Sequence, residues 1–98
     1  MSEIDIQATI ADHLVAYANQ IAADNPDADY WNIADGILSG AIHWWLYANA
    51  PCGNPQCEDC ESIRNAEQRM ITLNRLVTDM AQTSDYYHSP NDDDVAHA

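Results

Sequence analysis

The 98-residue sequence contains no lysine and no phenylalanine, and only three arginines accompany its 16 acidic side chains, which gives a formal net charge of −13. Nucleic-acid-binding proteins bring Lys and Arg to the phosphates, so this deficit of positive charge excludes ordinary nucleic-acid binding. Glycine and proline are also scarce, with 3 and 4 residues, while 47% of the residues are hydrophobic. That composition predicts a folded, mainly helical chain rather than a disordered one.

Long apolar runs and familiar catalytic motifs are missing as well. No uninterrupted apolar run reaches the roughly 18 residues that a membrane-spanning helix needs, and the first residues lack the basic segment of a secretory signal. We therefore expect a soluble, cytoplasmic protein. The sequence has no glycine-rich phosphate loop, no Gly-x-Ser-x-Gly and no His-Glu-x-x-His. We expect no enzymatic activity.

Apolar residues recur at helical spacing in three segments, at 3 to about 23, about 30 to 49 and about 59 to 81. Ser2 and Asp5 predict a capped start for the first helix, and either Asp27 or Asp29 is suited to cap the second. The predicted fold is all-α: a compact three-helix bundle forming one domain over residues 1–82. Residues 83–98 lose the periodicity and gain acids, which predicts a flexible acidic tail.

The second predicted helix has an unusually broad apolar surface. Its hydrophobic residues cover more than half of its circumference, so it is predicted to contact two neighbouring helices or a second subunit. Gly36 and Gly40 lie four residues apart on this helix and favour close packing against another backbone. These features leave a homodimer open as a further expectation.

Three cysteines with metal-ligand spacing lie between the second and third predicted helices: Cys52, Cys57 and Cys60. Three thiolates suit zinc, and His43 is the nearest histidine that could supply a fourth ligand. His13 and His88 are more distant candidates, and Glu61 or water could take the position instead. One structural zinc ion would then clamp the connection between the two helices. Free cysteines that pack between helices, and a disulfide, are the competing interpretations.

The acidic residues of the first two helices and their connection suggest a partner. A rigid helical protein that displays carboxylates can occupy the basic groove of a nucleic-acid-binding protein. The predicted partner-contact residues are Asp5, Asp12, Asp24, Asp27, Asp29 and Asp35.

In size, charge and helicity the chain resembles the phage-encoded inhibitors of bacterial defence, which include anti-CRISPR proteins and restriction inhibitors, although no motif matches one family. The resemblance implies a DNA-mimicking inhibitor that acts in the bacterial host cytoplasm. Two alternatives remain. The chain could be a small zinc-stabilised dimeric regulatory or scaffold module. The second alternative is that the protein comes from a halophilic organism, in which case the acidic residues serve solubility alone.

Overall fold

A computed structural model of the chain describes residues 2–92, and every regular element within them is helical. The elements are α1 (Glu3–Asp24), α2 (Tyr30–Ala48), a short 3-10 helix (Glu61–Ile63) and α3 (Ala66–Gln82). The predicted all-helical class and the position of the cysteine loop between α2 and α3 are confirmed. Within the described residues, no helix combines the length and the apolarity needed to cross a membrane.

Side chains outside the helix cap both ends of α1, and Ser2 does so at the predicted start. Ser2 is extended, and its Oγ accepts a hydrogen bond from the Asp5 amide at 3.2 Å. At the other end the Asn25 amide and side chain both donate to the Ile21 carbonyl, at 3.0 and 2.9 Å. Pro26 follows and has no amide hydrogen to continue the helix. The predicted bounds of α1 are therefore confirmed to within one residue.

Asp29 caps the start of α2. Its carboxylate accepts a hydrogen bond from the Trp31 amide at 2.9 Å, and its carbonyl accepts from the Asn32 amide at 3.0 Å. Of the two predicted capping residues, Asp29 therefore takes this role, because its side chain satisfies an amide that the first turn leaves unpaired.

The third helix begins at Ala66, later than the predicted start near residue 59. The Ile63 amide donates to the Cys60 carbonyl at 3.0 Å, which closes a 3-10 turn instead of an α-helical one. The chain then extends at Asn65, whose side chain accepts from the Gln68 amide at 2.8 Å and caps α3. This local side-chain bond competes with helix continuation, so the predicted helix is divided in two.

The internal contacts of the chain define two units, Met1–Ala48 and Asn49–Ala98. In the first unit α1 and α2 form an antiparallel hairpin, because Ile10 lies near Trp44 and Ala22 lies near Tyr30. In the second unit the 3-10 helix packs on α3, and the Thr72 hydroxyl donates to the Ser62 carbonyl at 2.7 Å.

Burial is slight in both units. Leu73, on α3, is 7% exposed and is the one buried hydrophobic side chain among the described residues. Large apolar side chains of α1 and α2 stay exposed, including Ile4, Ile10, Val15, Tyr17, Trp31, Leu38, Trp44 and Tyr47. Among the described residues, the core of the second unit is therefore this one side chain, and neither helix of the first unit has a buried residue. One domain over residues 1–82 stays a prediction.

Turns follow α3. The Tyr87 amide donates to the Ser84 carbonyl at 3.1 Å, and the Asp92 amide donates to the Ser89 carbonyl at 3.0 Å. Of the predicted flexible tail, residues 83–92 thus contain hydrogen-bonded turns, and residues 93–98 lie outside the described residues.

Candidate functional site

The three cysteines of the loop lie together. Their Sγ atoms are within 4.8 Å of one another, with Cys52 exposed and the thiols of Cys57 and Cys60 half-buried. Zinc bonds to sulfur of 2.3 Å in a tetrahedral site separate the sulfurs by about 3.8 Å, so a small inward movement would complete the geometry. The three cysteines can therefore hold a metal ion such as zinc.

Turn-forming residues give the loop its shape. Asn54 accepts from the Cys57 amide with its carbonyl, at 3.1 Å, and from the Gln56 amide with its side chain, at 3.0 Å. Gly53 has a φ of +86°, a conformation that L-residues with a Cβ rarely adopt. Pro55 follows Asn54 and pre-sets the turn. These local bonds bring the second cysteine back beside the first.

Hydrogen bonds shift the pKa values of Cys52 and Cys60 in opposite directions. A backbone hydrogen bond from Asn54, followed by hydrogen bonds from the Cys60 and Cys57 thiols, lowers the pKa of Cys52. The Cys52 amide lies 3.5 Å from the Cys60 Sγ and by itself lowers the pKa of Cys60. The Cys52 and Cys57 thiols act in the opposite direction, and the net pKa of Cys60 is raised. The pKa of Cys52 is thus shifted below its ordinary value and that of Cys60 above it, and a bound metal would displace the thiol protons.

Arg64 is a contributor to this loop that the cysteine spacing did not predict. Its guanidinium donates to the Cys57 carbonyl at 2.9 Å, and the residue is half-buried. A zinc ion with three thiolates carries a net charge of 2 − 3 = −1, which a nearby cation would stabilise. In the sequence, the one indication of this role was that Arg64 follows Cys60 by four residues.

The predicted fourth ligand lies in the other unit. His43 is exposed on α2, where it borders a shallow pocket with Asp35, Ser39 and Ile42. The group of metal-binding side chains found among residues 2–92 contains the three cysteines and does not include His43 or Glu61. A zinc ligand role for His43 stays a prediction.

The predicted partner-contact carboxylates are all exposed, on α1, in the turn that joins the helices and on α2: Asp5, Asp12, Asp24, Asp27, Asp29 and Asp35. Glu3 adds a seventh exposed acid, and the sequence of this unit contains no Lys or Arg. Two of the seven also have local roles, because Asp29 caps α2 and Asp24 accepts from the Gln20 side chain at 2.9 Å.

An uncharged groove runs along the hairpin between α1 and α2. One part, of about 460 Å³, is lined by Ile10, Leu14, Gly40, Ala41, Trp44 and Trp45. A second part, of about 410 Å³, is lined by Tyr17, Ile21, Asn32, Ile33, Gly36 and Ile37. We call these two parts together the hairpin groove. The first unit thus combines exposed acids with an apolar groove.

Comparison with protein-family models, with curated proteins and with solved structures gives no match to this chain.

Proposed function

We propose that this chain is a small acidic inhibitor that covers the basic, nucleic-acid-binding surface of a protein in the bacterial cytoplasm. In this proposal it is an anti-defence protein of the kind that phages encode, directed at a CRISPR or restriction complex. The observation that carries the proposal is the set of seven exposed carboxylates in the first unit, with no Lys or Arg in the same unit to neutralise them.

The density of these carboxylates indicates how such an inhibitor competes. A helix of 22 residues such as α1 is about 33 Å long, and a duplex of that length carries roughly 19 phosphates. Seven carboxylates cannot copy such an array site by site. The protein would instead occupy a few phosphate-binding positions and exclude the nucleic acid by its bulk.

Asp5 and Asp12 are the first residues to test. They lie seven residues apart on one face of α1, and both are exposed. Long-range attraction to a basic surface would accelerate association, and salt would weaken it.

The experiment captures the protein's target from bacterial lysate and then measures competition with duplex DNA and the salt dependence of binding. We expect DNA to displace the captured target, and Asp5→Asn with Asp12→Asn to weaken binding about 10-fold at low salt. The matched control, Asp79→Asn with Asp85→Asn, makes the same charge change on exposed positions of the second unit. Capture that is indifferent to DNA, or equal losses in both double variants, would contradict the proposal.

The cysteine loop favours a second candidate function. Three thiols within 4.8 Å suit a structural zinc ion, and such an ion would stabilise a small regulatory or scaffold module that acts without nucleic-acid mimicry. In that candidate the zinc fixes the connection that precedes α3, and the three helices pack as a compact bundle. Stoichiometric zinc together with DNA-indifferent partners would favour this module over the inhibitor.

A further inference from the structure

We propose that the hairpin groove binds the same groove of a second copy of this chain, so that two α1–α2 hairpins form a four-helix dimer. This inference goes beyond the proposed inhibition and does not depend on it.

The spacing of the groove residues supports this occupant. On α1 the lining residues Ile10, Leu14, Tyr17 and Ile21 follow each other at intervals of four, three and four. On α2 the lining residues Ile33, Ile37, Gly40 and Trp44 repeat the same intervals. This is the spacing by which helices of a four-helix bundle interlock, and the hairpin supplies only two of the four helices.

The glycines of α2 leave room for close approach. A Cβ placed on Gly36 or on Gly40 would meet no atom within 4 Å, so neither glycine is needed for the contact between α1 and α2. Both line the groove. A second hairpin could therefore bring its own side chains close to the α2 backbone.

The exposed apolar area is of the size that a dimer needs. Tyr17 and Trp44 line the groove and are 58% and 68% exposed. Aromatic side chains bury on the order of 200 Å² each, so these two alone would contribute roughly 250 Å². A standard interface buries about 800 Å² per partner, and the aliphatic lining would supply much of the remainder.

Within the hairpin groove, no charge repulsion opposes the contact between two copies. No charged side chain lines the groove, and Asp12 lies about 200° around α1 from Ile10. Two copies meeting at their grooves would thus bring apolar surfaces together and keep Asp12 outside. At longer range two chains of formal charge −13 repel each other, and salt screens that repulsion.

Sedimentation equilibrium of the full chain from about 1 to 100 µM tests the proposal. We expect a monomer–dimer equilibrium that Trp44→Glu weakens about 30-fold or more, the scale of losing a central interface side chain. Trp31→Glu is the matched control, because Trp31 is 78% exposed on the same helix and does not line the groove. Gly40→Leu is a second variant, which raises helix propensity and fills the room for close approach.

Circular dichroism of each variant verifies that the helices persist. Dimerisation that salt strengthens, and that Trp44→Glu and Gly40→Leu abolish while Trp31→Glu does not, would support the proposal. A monomer at every concentration, including one in which α3 covers the groove, would overturn it, as would equal effects of the two tryptophan variants. Salt is expected to strengthen the dimer but to weaken the attraction to a basic partner. The two effects have opposite signs, so failure of the dimer and failure of the inhibitory function can be told apart.

Discussion

The two units of the chain differ in how their side chains are used. Residues 2–48 form two long helices with seven exposed acids, no cation and a wide exposed apolar surface. The second unit contains all three arginines, the three cysteines and the buried Leu73. Two of its arginines bind backbone: Arg64 donates to the Cys57 carbonyl and Arg69 to the Ile63 carbonyl. The first unit thus leaves its acids and many of its large apolar side chains exposed, while two arginines of the second unit bond to the backbone around the cysteine loop.

The largest difference between the two units should appear when metal is removed. With one zinc per chain, we expect a chelator or Cys57→Ser to unfold the loop before α3 and to leave the helicity of α1 and α2 intact. Structural zinc contributes apparent folding free energies of about 10 kcal/mol or more in small zinc peptides, and losing one ligand should lower zinc affinity by more than about 100-fold. Metal analysis and amide NMR spectra measure both effects.

Restoring zinc to the chelated wild-type chain is the control, and the loop signals should return. Protein that contains no stoichiometric metal and melts at the same temperature in chelator would show that the cysteines act as ordinary thiols.

The next largest effect should come from the core of the second unit. Leu73→Ala removes the one buried hydrophobic side chain of the described residues, so we expect a loss of about 2–4 kcal/mol in the free energy of unfolding. Met80→Ala, on the same helix at 62% exposure, is the control and should cost less than about 1 kcal/mol. Urea denaturation measures both. Similar losses would mean that α3 is stabilised over its whole length rather than at Leu73.

Glycine substitutions should have opposite signs in the two units. Gly36→Ala, in the interior of α2 with open space around its Cβ, should stabilise the first unit by up to about 1 kcal/mol. Gly53→Ala, at φ +86°, should destabilise the cysteine loop by about 1–2 kcal/mol. Thermal melts of both variants make the comparison, in a Trp44→Glu background that would remove the proposed self-association. A gain in stability at Gly53 would show that the loop can change its turn conformation.

The smallest effect is a pH dependence after α3. The Ser89 amide foremost, and then the His88 side chain, lower the pKa of Asp92 from its ordinary value of 3.8. Because the folded-state pKa is depressed, the turn is stabilised above the unfolded value and loses that stability as the pH falls through the folded value. The Ser89 amide signal should shift over this acid range in NMR spectra. Asp92→Asn should abolish the shift; an unchanged titration would assign it to another group.

The sequence predicted the first unit more closely than the second. Ser2, Asn25 and Asp29 are local signals that act within a few residues, and the bounds of α1 and α2 agree with them. The predicted start of α3 was wrong because the acidic residues near Asp59 are as typical of a helix N-terminus as Asn65 is. What decides between them is the 3-10 turn at Cys60 and the contact from Thr72 back to Ser62, ten residues away. Spacing alone does not encode such contacts.

The sequence predicted the three cysteine ligands of the candidate site but not the residues that surround them. Cys52, Cys57 and Cys60 follow from spacing, because a short loop confines its thiols to one region. The bond from Arg64 to the Cys57 carbonyl and the unequal thiols depend on backbone conformation around Asn54. The exposure of the carboxylates followed from helical periodicity, whereas the binding of a partner depends on the surface of another molecule as well.

The placement of the arginines also fixes where trypsin can cut. With no lysine in the chain, the three cleavable bonds follow Arg64, Arg69 and Arg75, all in the second unit. The first two arginines are held to backbone carbonyls beside the 3-10 helix, so cleavage there requires that segment to open. Limited tryptic digestion therefore reports local opening of the second unit alone, and residues 1–64 stay in one piece however much the hairpin moves.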